Sequence, residues 1–564
     1  MAMVTAKPLM DRFLMRGGFT ATVLLSSTSG RGRPVNERIA RRWLVAREVL
    51  CAVTGAGAAI ISTLSAAQTI QPEPPRAATV APITTWRITP EISVTESYTD
   101  NAALVPSANA RNSWITESTP GIRIEKSGVR SNVYVDFRVH DFRYGGNAQL
   151  NNSQRLLTSR ATVEAIDSLL FVDATANITQ ENRSAFRIAG SPNATGSNGN
   201  RVETATNQIS PYVRGRFADI AAYQLRFATT DIRTNDTALP DTKGKQWTGF
   251  IKNQRVISGL GWSIDGNAIS FRNDAVGKLY DERLRATFSY EIDPQIHLSV
   301  IGGREVTNFA GVQNDRRNTS GLGLEWSPDT RTQFAAAMER RFFGNSRNVS
   351  AKHRTALSAW SFTDSRDVTA PSGQLTATGT GATAGLLSDL LAASIPDPIA
   401  RDAAVRQRLE ESGLTANPVS SGGFATARPF LIRRSEMSVA LRGVYNTITL
   451  SFTRSDQRGL GPIGINSTDS FSLSNEIRQR GANLNWSYRL SPHSSLSLVA
   501  TALKSEGLST TDLDSDQRSL NVLFSTRIGI NTYASFGARR VHFDNSLDTG
   551  YRENAVLGSV SLRY

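Results

Sequence analysis

Cysteine is almost missing from this chain: Cys51 stands alone among 564 residues. One thiol excludes an internal disulfide and a thiolate-ligated metal centre, which suits passage through an oxidising compartment. Glu48-Val49-Leu50, just before it, do not suit a lipoprotein processing site. Long apolar runs are scarce as well. Apolar residues make up 39% of the chain and the mean hydropathy is −0.27. A helical span needs about 20 consecutive apolar residues, so a helical membrane bundle is excluded. Histidine is limited to His140, His297, His353, His493 and His542, and neither an H-E-x-x-H nor a G-x-S-x-G pattern occurs. Asp136 and His140 share a strand face but lie about 13 Å apart along it, so His140 must find its partner on a neighbouring strand. With no EF-hand spacing among the Asp- and Asn-rich stretches, no catalytic, cofactor or metal residue is assigned, and the chain is not expected to be an enzyme.

Lysine is rare too, at eight of 63 basic residues, the rest being arginine. The planar guanidinium fork matches carboxylates and phosphates, although arginine-favouring codon usage gives the same composition. Formal charge is +14. Residues 1–67 hold nine basic and three acidic residues, a net of +6, which leaves +8 on the remainder. Within that leader Arg38, Arg41, Arg42 and Arg47 precede an uncharged stretch from Val49 to Leu64, followed by Ser65-Ala66-Ala67 and Gln68. A positive region, an apolar region and small residues make a signal peptide, with cleavage expected near Ala67. Sixteen residues rich in Gly, Ala and Thr are short for the alternative, a membrane anchor. Residues 68–85, with Pro72, Pro74, Pro75 and Pro82, are expected to form an extended linker.

From Trp86 onward the period is two. Val133, Val135, Phe137 and Val139 alternate with Asn132, Tyr134, Asp136, Arg138 and His140. Leu284, Ala286, Phe288 and Tyr290 alternate with Arg283, Arg285, Thr287 and Ser289. The same pattern recurs at Ile448, Leu450 and Phe452, and at Leu484, Trp486 and Tyr488. The runs reach about ten residues, the length of a tilted membrane strand. Aromatic residues close several runs just before an Asp/Ser-Pro turn, as in Tyr290 to Pro294, Trp326 to Asp329 and Tyr488 to Pro492. Proline is expected to mark the turn rather than the ladder. Longer polar stretches, such as Asn182–Asn200 and Asn308–Asn318, alternate with these tight turns. The final strand places Val556, Gly558, Val560, Leu562 and the terminal Tyr564 on one face, the form of a barrel-closing strand. An all-β, transmembrane, antiparallel up-and-down barrel over 86–564 is therefore predicted. Counting gives fourteen strands before an insert and seven after it; the odd total conflicts with closure, and about 20 strands are expected.

The insert, residues 366–427, breaks the period. It opens with a Gly/Thr/Ala stretch; Leu386, Leu387, Leu390 and Leu391 predict a short helix. Asp397, Pro398 and Gly413 supply an N-cap, a first helical position and a stop for a second. A plug, a lid or a docking element is expected. Gly459 to Gly464 matches a dinucleotide fingerprint in letters, but it contains Pro462 and no following helix, so a loop is expected. Gly379, Gly381 and Gly385 follow no strand and are read as linker.

If the apolar face meets lipid, Arg123, Arg138, Arg283, Arg285 and Arg489 point into the lumen. An arginine-lined lumen favours anions, including acidic polysaccharide. An internal Arg–carboxylate network, such as Arg123 beside Glu125, would instead rigidify the barrel.

The opening hairpins carry a resemblance. Trp86-Arg87-Ile88-Thr89-Pro90, Val94 to Asn101, Ser113 to Glu117 and Thr119 to Ile122 are similar to the start of the PEP-CTERM-system-associated outer-membrane proteins. Leu170 to Ala174, Ile178 to Asn182, Arg433-Arg434 and Tyr445 to Leu450 extend it, most clearly over 86–182. The resemblance implies a Gram-negative outer-membrane barrel associated with exopolysaccharide export or assembly. Expected partners are outer-membrane lipid, the barrel-assembly machinery, and exopolysaccharide or export-complex proteins, with no nucleic acid. A general diffusion porin and an outer-membrane enzyme of lipid or polysaccharide modification are the alternatives.

Overall fold

The computed structural model describes residues 85–187, 200–236, 239–253, 259–274, 277–311, 314–370, 382–392, 395, 401, 404–405, 423–461, 469–509, 513–547 and 550–564. The expected signal peptide with Cys51, the expected linker up to residue 84, Gly379, Gly381, Asp397, Pro398, Gly413 and residues 462–464 lie outside them.

One sheet contains 22 strands. The first seven are β1 (Thr85–Thr99), β2 (Ser113–Ser127), β3 (Ser131–Tyr144), β4 (Asn152–Ile166), β5 (Leu170–Asn182), β6 (Arg201–Phe217) and β7 (Ala221–Thr234). Then come β8 (Thr242–Asn253), β9 (Leu260–Asn273), β10 (Gly277–Asp293), β11 (Ile296–Thr307), β12 (Asp315–Asp329), β13 (Thr332–Arg341), β14 (Gly344–Arg354) and β15 (Ser358–Thr369). After the insert follow β16 (Phe430–Arg442), β17 (Asn446–Gly459), β18 (Glu476–Arg489), β19 (Ser494–Gly507), β20 (Asp514–Arg527), β21 (Thr532–Asn545) and β22 (Tyr551–Arg563). Each strand pairs antiparallel with its sequence neighbours, and β22 pairs with β1, so the sheet closes. Closure leaves no free edge, a condition for crossing a bilayer with strands.

The period-two pattern sorts the two faces. Val94, Leu284, Phe288, Leu322, Phe452, Val556 and Val560 are exposed, while Thr99, Glu305, Ile477, Asn483 and Glu553 on alternate positions are buried. A soluble protein would not leave such an apolar face bare; a lipid-facing belt does. Tyr290, Trp326, Trp360 and Tyr445 are exposed near one end of their strands or in the adjoining turn, where an amphipathic ring meets headgroups. The fold is that of an outer-membrane barrel.

Turn lengths give the orientation. Pro294-Gln295 joins β10 to β11 and Thr330-Arg331 joins β12 to β13, whereas residues 100–112, 183–200 and 460–475 make the connections at the other end. The long-loop end is extracellular. Fifteen strands precede the insert rather than fourteen, which makes the total even and starts the insert from the extracellular end. Turns such as Phe342-Phe343 lack any Asp/Ser-Pro signal, so two strands there are easily merged into one. β15 also runs to Thr369, so the insert begins later than residue 366, and β16 starts only at Phe430.

Proline departs from its expected place. Asp293 begins the β10–β11 turn, accepting from Gln295 N at 2.7 Å and Ile296 N at 2.9 Å, with Pro294 in the turn. Pro328, however, sits in a register shift within β12, and the turn follows at Asp329, which accepts from Arg331 N at 2.6 Å. Pro120 and Pro211 lie inside β2 and β6. Each pairs with one neighbour while the ladder on the other side skips that position, where the missing N–H costs nothing.

Candidate functional site: the lumen and its insert

The inner face of β1–β3 carries a charge cluster in the periplasmic half of the barrel. Arg123 lies 3.2 Å from Asp136 and 3.5 Å from Glu91. Arg138 reaches Asp136 at 2.8 Å and Glu91 at 3.4 Å, and Arg563 of β22 reaches Glu91 at 3.4 Å. Register explains the grouping: Arg123 stands opposite Asp136, and Glu91 opposite Arg563. Gly121 faces Arg138, and a Cβ there would come within 3.0 Å of the arginine Cγ. The absent side chain leaves the guanidinium its path.

A second cluster spans β9–β15. Arg285 bonds Asp265 at 3.0 Å and approaches Glu339 at 3.4 Å; Arg283 lies 3.8 Å from Glu339. Above them Arg341 binds Glu305 and Asp367 and stands 3.7 Å from Asp281. Arg123, Arg138, Arg283 and Arg285 are thus on the inner face, each beside a carboxylate. Arg489 is not with them. It ends β18 at the periplasmic rim, exposed, over the Tyr445 ring and 3.4 Å from the Val444 carbonyl. Sequence could assign the facing of each arginine; it could not pair them, because partners such as Glu91, Asp265 and Glu339 come from other strands whose register is tertiary.

His140 has Glu117 of β2 at 2.6 Å and Thr119 at 3.3 Å from its Nδ1. No serine or cysteine completes a nucleophilic arrangement in these contacts. Among the described residues no cluster of His, Cys, Asp and Glu fits a metal. Gly459 ends β17 and Gly461 takes a positive φ of 77°.

The insert supplies the site's distinctive geometry. Helix α1 (Ala382–Leu391) lays Leu386, Leu387, Leu390 and Leu391 against Ala359 and Ala440, with Val405 joining them. Ala359 and Ala440 face each other across β15 and β16 on the inner wall. They lie at the start of β15 and near the end of β16, which is the periplasmic end. A segment that leaves from the outside therefore reaches the inner wall at the opposite mouth. Two small residues make the seat that the leucines fill. Lys352, also inward and near the periplasmic end of β14, bonds Asp389 of α1 at 3.2 Å. Arg401 donates to the Ser388 hydroxyl at 3.1 Å and the Ile395 carbonyl at 3.1 Å, folding the following chain back on the helix.

The extracellular mouth is bridged. Phe424, where the insert returns, forms an isolated bridge with Asn182 at the top of β5, and Asn273 of β9 donates to Ala427 O at 2.9 Å. The turn after β5 crosses to the far wall: Ala185 N donates to Ser470 Oγ of α2 (Ser470–Leu473) at 2.9 Å, and Asn545 of β21 donates to Phe186 O at 3.0 Å. Phe186, Phe424, Phe430, Phe471, Ile477 and Leu513 pack into one apolar cluster beneath.

No family model matches the chain, and no curated protein matches it. Among solved structures it is similar to the siderophore receptor PirA from Pseudomonas aeruginosa, at 10% identity and a TM-score of 0.37, covering 85% of this chain and 80% of that one. The FrpB iron transporter from Neisseria meningitidis, in its apoprotein form, aligns at 9% identity and a TM-score of 0.45, over 84% of this chain and 81% of that one. PirA from Acinetobacter baumannii aligns at 7% and 0.44, over 86% and 81%.

Proposed function

We propose that this outer-membrane barrel is a closed passage or scaffold that serves export or assembly of an exopolysaccharide, with the insert between β15 and β16 controlling the lumen. The observation that carries the reading is the seat of α1: four leucines against Ala359 and Ala440, with the Lys352–Asp389 pair beside them, at the periplasmic end of the inner wall. The seat fixes part of the insert on the lumen wall, where it narrows the passage; a diffusion porin that folds a loop inward would do the same, and the conductance of the deleted barrel separates the two. The association with exopolysaccharide rests on the resemblance of the opening hairpins. Paired lumen arginines favour a scaffold over a strongly anion-selective pore, since each inward guanidinium of the two clusters is offset by carboxylate.

Two measurements test the two halves of the reading. Deleting residues 371–422 should leave a folded, heat-modifiable barrel whose planar-bilayer conductance exceeds that of the intact chain; equal conductance would remove the controlling role. Removing the chain from cells that make a surface polymer should lower the polymer recovered outside the outer membrane. Unchanged polymer would leave a barrel with an internal insert and no part in export.

A further inference from the structure

On the outer face of β8–β12, Lys243, Lys245, Arg272, Lys278, Arg304 and Arg316 stand exposed at the extracellular ends of their strands. Their facing follows from register. Lys245 is two residues from exposed Trp247, Arg304 stands opposite exposed Leu284, and Arg316 opposite Val306, two residues further along the same face as Arg304. Each cation thus tops the lipid-facing belt.

This stretch of rim gathers cations on five successive strands. On β3, β7, β17, β19 and β20 a cation is bonded to an acid two residues along its own strand: Arg143 to Asp141 at 2.8 Å, Arg233 to Asp231 at 2.8 Å, Arg454 to Asp456 at 3.2 Å, Lys504 to Glu506 at 2.9 Å and Arg518 to Asp516 at 3.0 Å. Arg340, Arg540 and Arg552 are exposed without such a pair as well, but β8–β10 set cations without ion pairs opposite one another on successive strands. None of the six cations on β8–β12 forms an ion pair among the described residues. Of the nearby carboxylates, Asp231 opposite Lys243 is held by Arg233, Asp241 accepts from Thr234 N at 3.2 Å, and Asp274 and Glu282 form no ion pair with any of the six. Lys243 is directly opposite Arg272, and Arg272 is directly opposite Lys278. Like charges set opposite one another across a ladder are unfavourable unless an anion sits between them.

We propose that this patch binds the phosphate groups of a phosphorylated glycolipid in the outer leaflet. Position favours a lipid over a soluble or polymeric anion: Arg304 is level with exposed Leu284, and the other cations lie on the extracellular side of exposed Trp247, Leu284 and Leu322 on the same face, so a ligand whose acyl chains cover that belt presents its headgroup phosphates toward them. Guanidinium forks and ammonium groups are the side chains that take phosphate oxygens.

The full chain, purified in detergent, should retain bisphosphorylated lipid A in native mass spectrometry and titration, and bind its dephosphorylated form at least about tenfold more weakly. The quadruple variant Lys243→Gln, Lys245→Gln, Arg272→Gln, Lys278→Gln should lose that preference, while Arg143→Gln, Arg518→Gln on the paired rim should keep it. Equal binding of both lipid A forms by the wild-type chain overturns the proposal and needs no variant to fold. So does a quadruple variant that folds and still discriminates. Tighter capture of an acidic polysaccharide than of bisphosphorylated lipid A, lost in the same variant, would assign the patch to a polymer instead.

Discussion

Arg539 and Glu553 form a fully buried ion pair of the inner wall, at 2.5 Å with both side chains 2% exposed. Thr99 of β1 donates to the same carboxylate at 3.0 Å, so one acid ties β21, β22 and β1 across the closing seam. Removing one partner of a buried pair strands the other, at a cost of about 3–5 kcal/mol. Glu553→Ala should therefore lower the temperature at which the barrel loses its compact gel mobility, and Arg539→Leu with Glu553→Leu should recover most of the loss. A double variant no better than the single one would show that the pair's geometry, not its burial, matters. The lumen clusters make a related prediction. In the insert-deleted barrel, Arg285→Gln leaves Asp265 uncompensated and Glu339 with Arg283 alone, so reversal potentials should move toward cation selectivity. Arg489→Gln, at the rim over Tyr445, should leave selectivity where it was. A shift of equal size in both variants would contradict the separate placement of the two arginines.

At the scale of elements, α1 is held by a small set of contacts on a wall that does not need it. The strands beneath complete their ladders without the helix. Asp389→Asn removes the ion pair to a half-buried Lys352, an interaction of modest strength in a wet lumen. Leu387→Asp puts a charge into the apolar seat at Ala359 and Ala440, a larger penalty. Single-channel records should show brief openings in Asp389→Asn and frequent or lasting ones in Leu387→Asp, with unchanged heat-modifiability in both. Loss of the folded barrel in Leu387→Asp would mean that the helix belongs to the scaffold.

For the whole molecule the decisive event is closure. Ile92, Val94 and Tyr98 of β1 meet Leu562, Val560 and Val556 of β22 on the outer face, and Tyr564 N donates to Pro90 O at 3.1 Å. The last residue thus continues the seam and leaves its ring exposed below the belt. Deleting Tyr564 should slow or reduce insertion, read as less heat-modifiable protein in the outer-membrane fraction. Normal yield and mobility would show that the terminal ring is dispensable for assembly.

Alternation at Val133–Val139, Leu284–Tyr290 and Val556–Tyr564 was enough to determine a barrel with those residues toward lipid, because in a strand facing is set by parity alone. The same parity put Arg123, Arg138, Arg283 and Arg285 on the inner face, and the leucines at 386–391 were enough for a helix. Parity says nothing about which strand lies opposite, at what height, or how many strands close the ring. The strand total, the gathering of Arg123, Asp136, Glu91 and Arg563 across the seam, and the rim position of Arg489 came only from register. Tertiary structure also decided that a helix entering from the extracellular end rests on Ala359 and Ala440 at the periplasmic one. Two small residues on different strands make that seat, and they become neighbours only when β15 and β16 pair across an insert that separates them in the chain.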